Sequence, residues 1–151
     1  MIDLGFDWQE VWFNFWHLAV AYLLALPVAF NREQSTRSAG LRTFPLVAIA
    51  ACGYVLVAFS ILTTTDAEAR VIQGVVTGIG FIGGGAILKS GGSVSGTATA
   101  ASIWTTGLIG ISVAADRFEI AILLSLIMLG TLSVGKEVKS KLPTKKDEES
   151  S

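Results

Sequence analysis

The sequence predicts an all-α integral membrane protein, a transmembrane bundle of five helices, and three observations carry that prediction. Uncharged runs long enough to cross a bilayer recur along the chain. Of the 151 residues, 52% are hydrophobic and 15% charged, where a soluble domain has about 45–50% and 25%. The lysines and arginines are gathered into short clusters between the runs, on alternating sides.

A spanning helix needs about 20 apolar residues, because roughly 30 Å of hydrocarbon is crossed at about 1.5 Å per residue. The first candidate runs from Val11 to Phe30 and the second from Pro45 to Thr63, and neither contains a charge. The third runs from Val71 to Leu88, the fourth from Ala98 to Ala115 and the fifth from Phe118 to Gly135. The third and fourth are rich in glycine, serine and threonine.

Basic residues near the ends of spans favour the cytoplasmic side. With the N-terminus outside and the C-terminus in the cytoplasm, the inner segments hold Arg32, Arg37, Arg42, Lys89, Lys136, Lys139, Lys141, Lys145 and Lys146. The outer loops then hold only Arg70 and Arg117, the remainder of the 11 basic residues. The aromatic residues Phe6, Trp8, Trp12, Phe13, Phe15 and Trp16 crowd the outer end of the first span, where an interfacial belt belongs. Acidic residues stand where a secretory signal would carry basic ones, so the first span is expected to be retained. The segment 136–151, lysine-rich and then acidic, is expected to be a disordered cytoplasmic tail.

Composition also limits function. The formal net charge of -1 conceals charges segregated into short clusters, so it says nothing about partners; no nucleic acid is expected. The single cysteine, Cys52, excludes a disulfide framework. The spans hold Asn14, His17, Gln73 and Thr77 but no acidic or basic residue near mid-membrane, where ion-coupled transporters usually place one. His17, the only histidine, reads as an interfacial or helix-contact residue. No nucleophile stands at recognisable spacing from a base and no metal-ligand cluster is evident, so catalytic residues, cofactors and a metal are not expected.

GIGFIG, from Gly78 to Gly83, has the glycine spacing of a dinucleotide loop. That pattern has meaning only at a strand-to-helix turn with an acidic residue about 20 positions on. Here it lies inside an apolar segment, and the positions around Ile103 are not acidic. No nucleotide is expected. The other reading is helix packing, because small residues let membrane helices approach closely. At helical spacing Gly74, Gly78, Phe81 and Gly85 form one stripe, and Gln73, Thr77, Gly80 and Gly84 a second. Val75, Ile79, Ile82 and Ala86 form a bulky third. Two smooth stripes place the third helix centrally, and a row of Ser102, Thr106, Gly110 and Ala114 is expected to pack the fourth helix against it. Gly83, Gly84 and Gly85, with the loop that follows, could instead form a broken helix lining a pathway.

Two elements together, AGLRT (Ala39 to Thr43) and GIGFIGGGAIL followed by GTATAASIW (Gly78 to Trp104), resemble the MgtC/SapB family of bacterial inner-membrane proteins. The resemblance covers most of the chain from the first span to the fifth. It implies a multi-pass plasma-membrane protein of about five spans, linked to magnesium limitation and stress adaptation. It also implies a regulator of other membrane proteins rather than a magnesium transporter. Its cytoplasmic loop motif maps to Glu33, Arg37, Gly40, Leu41, Arg42 and Thr43. Longer members carry a C-terminal soluble domain, for which this chain has only the lysine-rich tail. Members typically have an acidic residue at Ser90, an arginine at Ser95 and an asparagine at Ala98, and those differences argue against a virulence role by analogy.

The expected partners are therefore the lipid bilayer and other membrane proteins or further copies of this chain. The alternative is a small transporter or channel for magnesium, another cation or a small solute. Asp66 and Glu68, at the entrance to the third span, are the side chains that could meet an outer cation, with Asp66 pairing Arg70 one turn on.

Overall fold

A computed structural model of the protein describes residues 7–34, 39–90 and 93–141. It contains five helices, α1 (Trp8–Glu33), α2 (Thr43–Ile61), α3 (Thr65–Gly85), α4 (Thr97–Ala114) and α5 (Phe118–Lys141), with a hairpin of β1 (Leu88–Ser90) and β2 (Ser93–Ser95) between α3 and α4. Among the described residues α1, α2, α4 and α5 are each long and apolar enough to cross a membrane. α3 has the length, at 21 residues, but its glycines and charged first turn dilute its apolar character.

The helix ends follow local chemistry. The Asp7 carboxylate accepts from Gln9 N–H at 2.9 Å, satisfying one of the donors that a helix start leaves open. Pro45 sits in the first turn of α2, where a missing N–H breaks no helical bond. α3 starts at Thr65 rather than Val71. The Thr64 hydroxyl accepts from Ala67 N–H, and Asp66 and Glu68 lie in the first turn, where a helix dipole favours negative charge. The helix then runs unbroken through GIGFIG, against the broken-helix alternative, and ends at Gly85 rather than Leu88.

The connection from α3 to α4 is an antiparallel hairpin with Leu88 opposite Ser95 and Lys89 opposite Val94. Gly96 closes it with φ 87°, the left-handed region, against the Ala86 carbonyl, where a side chain would have no room. α5 continues to Lys141, into the segment expected to be a disordered tail. Lysine and glutamate are good helix formers, so nothing in KEVKSK stops a helix already started. Residues 142–151 lie outside the described chain.

The helices alternate in direction. Asn31 near the end of α1 donates to Ser133 near the end of α5, and Arg32 donates to Thr99 at the start of α4. These contacts define a basic end of the bundle. At the other end Asp7, Glu10, Ser60 and Asp116 line one cleft, which brings together the start of α1, the end of α2 and the turn from α4 to α5.

α4 is the central helix, packed against each of the other four. The expectation that α3 lies in the middle is corrected: α3 packs chiefly on α4 and, less extensively, on α2. Only Ile79 and Gly83 of α3 are buried, against eleven residues of α4. Its inward face is the bulky one, with Ile72, Val75, Val76 and Ala86 against the core. The reason is that a helix without side chains on two faces has little surface to press into its neighbours. The smooth surface is supplied by α4, where Gly107 leaves room for the Ile79 side chain.

Candidate functional site

The glycines divide into those packed by backbone and those left open. A Cβ on Gly83 would lie 3.0 Å from the Ala100 carbonyl oxygen, so α3 and α4 cross at backbone contact there. Gly110 lies against the Ala48 carbonyl of α2, and this redirects the row expected to face α3. Ser102 faces α5 across a groove shared with Leu124 and Met128, and Thr106 is buried with its hydroxyl donating to the Ser102 carbonyl at 2.8 Å. The α3–α4 contact runs instead through Gly83 with Ala100 and Gly107 with Ile79.

Gly74, Gly78, Gly80, Gly84 and Gly85 have nothing within 4 Å of where a Cβ would stand. Gln73 and Thr77 are exposed beside them, and the Thr77 hydroxyl turns back to donate to the Gln73 carbonyl at 2.8 Å. Phe81 is 85% exposed, as far out as any large apolar side chain among the described residues. Both stripes therefore face outward. Between α2 and α3 lies an apolar groove of about 530 Å3, with Val47, Tyr54, Gly74, Gly78, Ile79 and Ile82 on its walls. The looseness of the α2–α3 contact makes it, since glycine at positions 74 and 78 offers α2 nothing to pack on.

The loop motif is built around a carboxylate. Glu33 Oε2 accepts from Leu41 N–H at 2.9 Å, and Gly40 lies directly against that carboxylate, so any side chain there would displace it. The Gly40 carbonyl in turn accepts from Phe44 N–H at 3.2 Å, joining the loop to the first turn of α2. Thr43 begins α2, and Arg42 before it is exposed with no capping bond from its side chain. Arg37 lies outside the described residues.

Sequence reasoning treated Arg32 only as a charge that orients the chain. In the structure it is buried, and its Nη2 donates to Thr99 Oγ1 at 2.7 Å, tying α1 to the first turn of α4. The available signal was its place in the last turn of a span, within reach of a threonine at the mouth of another.

At the opposite end Asp66 and Arg70 form no ion pair, and no group of three or more acidic, histidine or cysteine side chains is placed to hold a metal ion, in both cases among the described residues. Glu68 is half-buried beside them. His17 is a helix-contact residue, as its aromatic neighbourhood predicts: Nε2 lies 2.9 Å from Asp116 Oδ1.

Helices of this length and composition, four of them long and apolar enough to cross a membrane among the described residues, define a multi-pass membrane protein. The chain belongs to the MgtC family, which it matches over residues 18–141. It is 36% identical to protein MgtC of Salmonella typhimurium strain LT2 over 113 residues, 75% of this chain and 48% of that protein. It is 34% identical to protein SrpB of Synechococcus elongatus over 146 residues, 88% of this chain and 79% of that one. An uncharacterised protein of Synechocystis is 39% identical over 124 residues, 82% of this chain and 51% of its own length. The chain thus spans about half the length of the Salmonella and Synechocystis relatives. No solved structure matches it.

Proposed function

We propose that this protein is a non-enzymatic component of the bacterial inner membrane that modulates other membrane proteins, in a setting linked to magnesium homeostasis. The observation that carries this reading is the outward glycine face of α3 beside the open α2–α3 groove. Close approach of a second membrane helix needs small residues at the contact, and this face offers them with no occupant among the described residues. The name of the Salmonella relative and the family it shares with this chain support the link to magnesium.

The topology proposed with it has five crossings, an outer N-terminus and a cytoplasmic C-terminus. α3 starts at the end where α2 stops and finishes where α4 begins, so it returns across the same thickness as its neighbours. Arg32, Arg42 and Lys89 belong to the basic end, which the bias of basic residues assigns to the cytoplasm.

Co-purification from native membranes, with and without magnesium limitation, tests the reading. A specific membrane partner or a defined homo-oligomer should be recovered with the parent chain and lost with Gly78→Leu or Gly80→Leu. A monomer without partners, unaltered by either substitution, would overturn it.

A further inference from the structure

Asp66, Arg70, Gln73, Thr77, Gly80 and Gly84 follow one another along α3 at alternating steps of four and three residues. That alternation keeps all of them on one side of the helix, and it is the spacing of a seam between two helices that coil about each other. Every residue of the row is exposed, and none of them lines the α2–α3 groove. At about 1.5 Å per residue the row extends over about 27 Å, close to the roughly 30 Å of hydrocarbon in a bilayer.

The polar half of the row is what the fold leaves unanswered. Asp66 and Arg70 form no ion pair among the described residues, although they stand one turn apart. The Gln73 side-chain amide has no hydrogen-bond partner among the described residues, while the Gln73 backbone carbonyl accepts from the Thr77 hydroxyl. Polar side chains that face lipid are costly, and glutamine within a membrane span bonds across to another helix.

Two copies of a membrane protein share one orientation, so a two-fold axis relating them runs along the membrane normal and sets α3 beside α3 in parallel. In that pairing each residue of the row meets its own equivalent at nearly the same depth. Arg70 lies about 6 Å further along the helix than Asp66, within reach of the Asp66 carboxylate of the second copy, and the symmetry makes that contact twice. An amide carries donors and an acceptor, so Gln73 can bond its own equivalent. Gly80 and Gly84, with nothing within 4 Å of a missing Cβ, let the two backbones close below. Exposed Phe81 flanks the row, where its ring covers the smooth face of the second helix. A row whose charges complement themselves selects its own copy, since another protein would have to present the same signs at the same depths.

We propose that α3 is the contact of a parallel two-fold dimer of this chain, held by reciprocal Asp66–Arg70 pairs and a Gln73 amide pair above the close approach at Gly80 and Gly84. The inference rests on the reading of the outer α3 face as a helix-binding surface and names a second copy as what binds there.

The full chain, with donor and acceptor dyes on separate copies in liposomes, reads the dimer by energy transfer. Asp66→Arg and Arg70→Asp should each weaken it about fivefold, as two exposed ion pairs lost together would. The double variant Asp66→Arg/Arg70→Asp should restore it, because the exchanged signs again face each other. Gln73→Leu should weaken it about threefold, the usual worth of an interhelical bond in a membrane. All three positions are exposed, so the bundle itself should fold. Oxidation in native membranes locates the contact: Thr77→Cys and Gly80→Cys should link into dimers. Leu126→Cys, exposed on α5, and the parent, whose Cys52 is buried, should not. Equal energy transfer in the parent and both single charge variants, a double variant no better than either, or links at Leu126 as abundant as at Thr77 would overturn the dimer. A monomer that still co-purifies with a different membrane protein, and loses it with Gly80→Leu, would overturn the dimer while the helix-binding reading of the face stands.

Discussion

Gly110 of α4 lies so close to Ala48 of α2 that a Cβ on the glycine would collide with the Ala48 carbonyl oxygen and stand 3.0 Å from the Ala51 methyl. Two helices of the core meet here backbone to backbone. Gly110→Ala should destabilise the protein by about 1–3 kcal/mol, the usual effect of overpacking a site that cannot yield, read as a lower thermal midpoint in detergent.

Gly80→Ala is the counterpart. Nothing lies within 4 Å of its missing Cβ, and alanine is favoured over glycine in a helix by about 1 kcal/mol. The same thermal measurement should find this variant at least as stable as the parent. A loss comparable to that of Gly110→Ala would mean that the outer face of α3 is packed after all.

Thr99 gives the buried Arg32 guanidinium an acceptor at 2.7 Å. Thr99→Val keeps the shape and removes the oxygen, so it should lose about 1.5–3 kcal/mol, the range for a hydrogen bond to a charged group. Thr99→Ser should recover most of that loss. Chemical unfolding of the three proteins side by side measures both effects.

Glu33 caps the loop before α2 through Leu41 N–H, with Gly40 pressed against its carboxylate. Glu33→Ala should lose about 1 kcal/mol for one hydrogen bond, whereas Gly40→Val should lose more, because it evicts the carboxylate and the loop together. Limited proteolysis of the α1–α2 loop should follow the same order.

Ser125 on α5 donates to the Leu24 carbonyl of α1 at 2.7 Å. Ser125→Ala should cost about 0.6 kcal/mol, typical of an interhelical bond within a membrane. A much larger loss of thermal stability would show that this bond organises the α1–α5 contact.

The helices were legible because hydrophobic length is a property of consecutive residues. Spans at 11–30, 45–63 and 98–115 correspond to α1, α2 and α4 with shifts of a few residues at their ends. The early start of α3 was encoded by Thr64, Asp66 and Glu68, a capping signal that a search for uncharged runs passes over. GIGFIG lacks the preceding strand and the acidic residue of a nucleotide loop in the sequence, and in the structure it lies within α3.

What required the folded chain was the choice of neighbours. Composition tells which helix faces are smooth, but not which of two smooth faces is covered, since that depends on the side chains another helix brings to it. Gly83, Gly107 and Gly110 are covered and Gly74, Gly78 and Gly80 are not, though all six are glycines in helices. The same holds for His17 and Asp116, 99 positions apart. The order of residues sets how long each helix is and where the positive charge falls. Packing alone sets which helix lies at the centre, which glycines remain open, and which buried ring meets a carboxylate.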